Sequence, residues 1–314
     1  MEGCRYAGSS FHRTPNIDRL ARVGRRFTDA STPSSVCSPT CYRVLTGRYC
    51  WRTPLKHKVL GVSDPLHIET NRITVASLLQ RHSYATAAIG KWHLGYGSTK
   101  PVDFTAKLRP GPQDVGFDYH FGVPSNHGDV AGVFLDGEGI AGLRSTTLKP
   151  FGSCHYGGSP FLGLDAPQRD DPAVMERLTD KAVAWIGRQK RDKPFFLYFT
   201  PVAVHEPVTP SSHTKGSSKA GPYGDWIHEL HRSVGRILDT LDKQQITGDT
   251  LVLFNSDNGG ENKKTRGGTQ ATAIAAGLRM NGLWRAAYLR TGKITLPPCP
   301  ALCQADAGHH STED

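Results

Sequence analysis

The sequence predicts an α/β fold with a largely parallel central sheet flanked by helices. Two observations carry this prediction. A helix-spaced apolar pattern followed by a short apolar run occurs three times, as expected for parallel strands buried on both faces. Each of those runs is followed by a His, Lys, Asp or Asn, and ligands of open α/β sheets bind at the carboxyl ends of strands.

Taken in order, Thr14-Pro15 starts a helix with an N-cap residue and a proline in its first turn, Ile17, Leu20 and Ala21 give it an apolar face, and Gly24 ends it. Residues 27–30 then read as a short strand. In the stretch Cys37 to Arg48, Pro39 suits the first turn of a helix and Gly47 its end. Cys37 therefore stands at a helix N-terminus, where free N–H groups and the helix dipole favour an anion. By spacing alone it reads first as a small packed cysteine, since free cysteines are usually just packed.

The first repeated unit is a helix over residues 74–82 and a strand over 84–89, ending in Gly90-Lys91-Trp92-His93. In the second, Asp171-Pro172 caps a helix that feeds the strand Phe195 to Thr200, followed by His205. In the third, Ile227, Leu230, Val234, Leu238 and Leu241 mark a helix that feeds residues 250–254, followed by Asp257-Asn258-Gly259. The pattern predicts that His93, His205 and Asp257 converge. Residues 101–170, rich in Gly and Pro, read as long loops with at most a short hairpin, and residues 211–222 as an exposed loop. Patterning fades after Arg290.

Composition narrows the function. With 37% hydrophobic and 21% charged residues the chain can bury a core and is not disordered. Its apolar runs are too short to span a bilayer, and no apolar leader follows Met1. The net charge of +10 suits an anionic substrate, while the basic residues are scattered without a nucleic-acid-binding motif. The seven cysteines include no CxxC pair, which argues against structural zinc. Localisation stays open.

The segment Cys37-Ser38-Pro39-Thr40-Cys41 with Thr46-Gly47-Arg48 resembles the signature of the sulfatase family. Thr14-Pro15-Asn16-Ile17-Asp18-Arg19-Leu20, Gly90-Lys91-Trp92-His93-Leu94-Gly95, Gly116-Phe117-Asp118-Tyr119, His205-Glu206-Pro207 and Ser256-Asp257-Asn258-Gly259-Gly260 follow that family's order. The resemblance covers roughly residues 3–285 and implies an alkaline-phosphatase-like sandwich. It implies that Cys37 is oxidised to formylglycine by a formylglycine-generating enzyme and then acts as nucleophile on a small-molecule or carbohydrate sulfate ester, with calcium nearby. Lys91 and Ser125 are then the sulfate-binding residues, His93 the base that takes a proton from the hydrated aldehyde, His205 the acid for the leaving alcohol, and Asp257 and Asn258 the calcium ligands.

The chain also departs from the family pattern. Cys41 replaces the signature arginine, which weighs against conversion of Cys37; Arg43, two positions on, points to another face of a helix. The aspartate pair of the family's first strand has no counterpart, since the first acidic residues are Glu2 and Asp18, and calcium binding is expected to be weakened. Tyr288 stands where a second sulfate-binding lysine is expected. The expected organisation is an incomplete catalytic domain over residues 1–289 and a divergent tail over 290–314. The alternative functional reading is an impaired or inactive fragment. A phosphatase or phosphonate hydrolase ranks lower, because those enzymes generally use Ser or Thr nucleophiles with two zinc ions.

Overall fold

The computed structural model describes residues 14–27, 30–128, 132–145, 161, 164–260 and 268–281, and the backbone of residues 302–304. The predicted architecture is present. Strand β2 (Ala85–Lys91) lies between β3 (Tyr119–Val123) and β6 (Phe195–Thr200), and both pairings are parallel. A short antiparallel hairpin, β4 (Leu135–Asp136) and β5 (Gly139–Ile140), extends the sheet beyond β3. A second, antiparallel sheet runs β1 (Arg25–Arg26), β8 (Leu302–Gln304) and β7 (Val252–Phe254). The strand of the third repeated unit is therefore not, as expected, a parallel strand buried on both faces: it pairs antiparallel with β8, and its Leu253 is 69% exposed.

Alternation along the strands sends side chains to opposite faces. Ala88, Phe196 and Tyr198 join a core with Tyr42 and Leu45 of α2 (Cys37–Thr46) and Ala76 of α3 (Val75–Arg81). Ala87, Ile89, Leu197 and Phe199 face the other way, onto α1 (Pro15–Val23), α4 (Val174–Gly187) and α5 (Gly221–Lys243). Both faces are covered, which is why these strands read as continuous apolar runs.

Two local expectations hold with their physical cause visible. Thr74 caps α3 reciprocally with Ser77. Gly47 closes α2 in the left-handed region at φ 67°, its N–H donating to the Arg43 carbonyl. The cap expected from Asp171-Pro172 is not made: the two residues open a 3-10 turn that leads into α4, and neither start carries a side-chain cap hydrogen bond. At α1 the expectation holds only in position: Thr14 is the N-cap residue, but its hydroxyl donates to the Asp18 carboxylate at 3.1 Å rather than accepting from a backbone N–H.

Three further expectations need correction. The strand expected over residues 27–30 is found at Arg25–Arg26, and residues 28 and 29 lie outside the described residues. The region 101–170 is not only loop and hairpin, because β3 is a central strand. Its His120 and Gly122 break the apolar run, yet both are required. His120 is satisfied between the Ala88 carbonyl and the Tyr96 hydroxyl. A Cβ at Gly122 would lie 1.8 Å from the Gly90 carbonyl oxygen. The loop over 211–222 is not uniformly exposed either: Ser211 and Thr214 are buried and donate to the buried carboxylate of Glu229. The tail expected over 290–314 lies outside the described residues, β8 excepted.

Gly90 fixes the end of β2. Its φ is +124°, and a Cβ there would meet the Thr200 carbonyl oxygen at 2.0 Å. The Thr200 hydroxyl donates to the Lys91 carbonyl at 2.7 Å, tying β6 to the strand end from which Lys91 emerges. Gly90→Ala is therefore expected to cost about 3 kcal/mol or more through strain and overpacking. Urea unfolding measures this, and an unchanged midpoint would refute it.

Candidate active site

Four strand or helix ends meet at one place. Cys37 opens α2, and Val36 before it provides no side-chain cap, so backbone N–H groups of the first turn are left for a ligand. Lys91 ends β2 and is only 7% exposed. His93 follows in the left-handed region at φ 54°, its backbone N–H donating to the Pro124 carbonyl at 3.0 Å. The loop after β7 is tied to α2 by the Thr40 hydroxyl, which donates to the Asp257 carbonyl at 2.7 Å.

The hydrogen bonds decide which nitrogen of each histidine carries the proton. His93 Nε2 faces the Leu60 carbonyl at 2.9 Å and must donate to it. Nδ1 is then a lone pair, 3.1 Å from Cys37 Sγ. Burial and the Lys91 charge hold His93 well below the usual imidazole range, so it is a neutral imidazole whose lone pair faces Cys37. His205 Nδ1 donates to the Glu206 carbonyl at 2.6 Å, which leaves Nε2 as its acceptor nitrogen. Burial and Lys91 lower the pKa of His205 as well. At neutral pH it is thus a neutral imidazole that has no proton to donate from Nε2, and a bound anion favours its protonation.

Lys91 is the cationic centre. Burial alone would depress its ammonium, but Cys37 and Asp257 outweigh that and hold its pKa above the ordinary value. Cys41, one turn after Cys37, is buried, and its thiol is pushed up to about 12 by desolvation and by Asp257 and Cys37. It is thus neutral and adds no positive charge where an arginine would. Arg43 stacks over the Tyr49 ring at 3.5 Å.

The structure thus brings together Cys37, Lys91, His93, His205 and Asp257. Ser125 is half-buried directly after Pro124, so it borders His93 through the main chain. Asn258 is half-buried, and its amide nitrogen donates to the Gly259 carbonyl at 2.9 Å. Tyr288 lies outside the described residues. Sequence reasoning missed Tyr198 of β6, which stands against Cys41, and the pair Asn126-His127. Tyr198 sits inside an apolar strand run, and nothing in that pattern distinguishes it from core.

Calcium takes six to eight oxygen ligands. Among the described residues Asp257 and Asn258 are the two candidates, and no group of three or more His, Cys, Asp or Glu stands ready for a metal. The Lys91 charge acts on the same carboxylate. The described donor set does not fit a calcium site.

A sequence profile of the family described as Sulfatase matches residues 3–289. The chain belongs to the sulfatase family. This sulfatase is 34% identical over 277 residues to the N-acetylgalactosamine-6-O-sulfatase of Bacteroides thetaiotaomicron, covering 78% of this chain and 54% of the relative. It is 32% identical over 266 residues to human arylsulfatase A, covering 81% and 49%. A solved Bacteroides thetaiotaomicron structure from work on the metabolism of multiple glycosaminoglycans superposes with a TM-score of 0.83 at 26% identity, covering 96% of this chain and 68% of that one. The sulfatase chain spans about half the length of these curated relatives. Its fold is the alkaline-phosphatase-like sandwich with a central sheet flanked by helices. No helix among the described residues is long and apolar enough to cross a membrane.

Proposed function

We propose that this chain carries the sulfate-ester-cleaving site of a sulfuric ester hydrolase, with Cys37 as precursor of a formylglycine nucleophile. The supporting observation is the Cys37–His93 pair: a side chain at a helix N-terminus, 3.1 Å from a neutral imidazole nitrogen whose partner nitrogen is fixed by the Leu60 carbonyl. A hydrated aldehyde at position 37 supplies the attacking oxygen. Lys91 binds a sulfate oxygen and offsets charge in the transition state. His93 Nδ1 takes the proton whose loss releases the product sulfate, and His205 Nε2, once protonated, gives a proton to the leaving alcohol. Ser125 contributes a further sulfate contact. Maturation requires a formylglycine-generating enzyme as partner.

An impaired relative is the second reading, and specific observations favour it. Cys41 supplies no second cation, and among the described residues Asp257 and Asn258 are too few oxygens to hold calcium tightly. Mass analysis of the Cys37 peptide after co-expression with the modifying enzyme separates the two. Aldehyde at Cys37 together with turnover of an aryl or sugar sulfate supports the hydrolase. Unmodified cysteine throughout supports the impaired protein. Calcium titration is expected to show weak binding at most, and tight stoichiometric uptake would overturn the second reading.

A further inference from the structure

Cys41 is a second thiol beside the one that the proposed chemistry uses. Cys37 is the first residue of α2 and Cys41 lies one turn on, so both side chains stand on one face of the helix. Both are buried, and both are free thiols. Four positions along an α-helix set Cα atoms about 6 Å apart, inside the span of about 4.4–6.8 Å that a disulfide bridges. The Cβ atoms are then about 5–6 Å apart, against about 3.8 Å in a relaxed disulfide. Closing that gap falls to Cys37. Val36 provides no side-chain cap, and the Cys37 N–H precedes the helical ladder, so this residue turns inward with few bonds lost. The strain that remains makes such a bond easy to reduce again.

The surroundings of Cys37 suit oxidation. His93 Nδ1 presents a lone pair 3.1 Å from Sγ, fixed there by the Leu60 carbonyl on Nε2. The buried Lys91 ammonium places its charge beside the same sulfur. Cysteines react with oxidants in such electropositive neighbourhoods. Ser125, His205, Asp257 and Asn258 are half-buried, so this end of the sheet is not sealed from a molecule the size of water. Cys50 is the contrast within the same chain: it is also buried, but its Sγ faces the Thr53 hydroxyl at 3.7 Å.

We infer that Cys37 and Cys41 of the unconverted chain form a redox-active dithiol, which reduces a hydroperoxide and closes into a disulfide. Cys37 Sγ attacks the peroxide, the O–O bond breaks, and the thiol proton passes by way of His93 Nδ1 to the departing hydroxide. With hydrogen peroxide the products are a Cys37 sulfenic acid and water. Cys41 Sγ then attacks the sulfenic sulfur, the S–O bond breaks, and the Cys41 proton leaves with the hydroxyl as a second water. The peroxide gains the two electrons that the two thiols lose. Desolvation, Asp257 and Cys37 together keep Cys41 protonated. A neutral sulfenic acid at Cys37 removes the last of these, so the first step eases the second. A small thiol reopens the disulfide by exchange. The dithiol belongs to the chain before conversion, since an aldehyde at position 37 replaces the first thiol, and it does not depend on sulfate-ester turnover.

The test is peptide mass analysis of the intact, folded protein, made without the modifying enzyme, exposed to hydrogen peroxide and then alkylated. Cleavage after Arg26 and Arg43 releases residues 27–43, which hold Cys37 and Cys41 and no other cysteine. The expected product is this peptide lighter by two hydrogens, closed to the alkylating agent and restored by dithiothreitol. Cys37 is expected to oxidise at least about tenfold faster than Cys50 in the folded protein, and at a similar rate to Cys50 in urea. Cys41→Ser, shown to be folded by its thermal melt, is expected to accumulate sulfinic acid at Cys37 at least about fivefold above wild type, because no second thiol traps the sulfenic acid. A wild-type peptide that stays reduced or only gains oxygen overturns the dithiol, whatever the variant does. Equal oxidation of Cys37 and Cys50 in the folded protein overturns it as well. Either result leaves the sulfate-ester reading standing.

Discussion

Replacing Lys91 with methionine is expected to weaken inorganic sulfate binding by at least about tenfold, and to cut any sulfate-ester turnover by about 10²–10³-fold. Methionine keeps most of the volume and removes the charge. Lys91 is 7% exposed at the end of β2, so little solvent screens its charge from an anion placed beside Cys37. Cys41 is neutral in this site and does not substitute for it. The same change removes a charge that depresses His93 and His205, so both imidazoles rise toward their ordinary values. Titration calorimetry with sulfate, at two pH values, measures both effects. Unchanged sulfate affinity in the folded variant would show that Lys91 is not the anion-binding charge.

The second large effect is loss of stability in mild acid. Burial lowers His120 to about 4, and burial with the nearby charges of Arg169, His205 and Lys91 lowers His127 to about 3. An unfolded histidine titrates near about 6.5. Above that value both states are neutral and the pair contributes no pH dependence. Below it the unfolded chain gains protons that the folded chain refuses, and stability falls by about 1.4 kcal/mol per histidine per pH unit. Between pH 6.5 and 5 the two histidines together remove about 4 kcal/mol, against a typical total of about 5–15 kcal/mol. Urea midpoints at pH 7 and pH 5 are the measurement, with a marked drop expected at pH 5. A flat profile over that range would mean that His120 and His127 are protonated in the folded state.

Much of the framework was legible because its signals are local. Thr74 and Ser77 make a capping box within one turn, and Gly47 ends α2 because no Cβ opposes a positive φ. The strands β2 and β6 were legible because helices cover both faces of their sheet; β7 was legible only as an apolar run, and its Leu253 is 69% exposed in the antiparallel sheet. β3 was not, because its polar and glycine positions are explained only by Tyr96, Ala88 and Gly90 in other segments. The candidate site was legible as an ordered set of residues around Cys37, Lys91, His93, His205 and Asp257, but not as a geometry.

By itself the sequence determined the α/β class, the placing of Cys37 at a helix N-terminus, the strand-end positions of Lys91 and Asp257, and Cys41 where an arginine would add charge. Each of these depends on residues within a turn or a strand of one another. Only the tertiary structure decided that Cys37 meets His93 across 56 positions and that Thr40 holds the Asp257 loop across 217. It alone decided which imidazole nitrogens are bare, because that depends on carbonyls such as those of Leu60 and Glu206, brought close by folding or by a local turn. Protonation and convergence are properties of the assembled neighbourhood, and no single stretch of chain contains it.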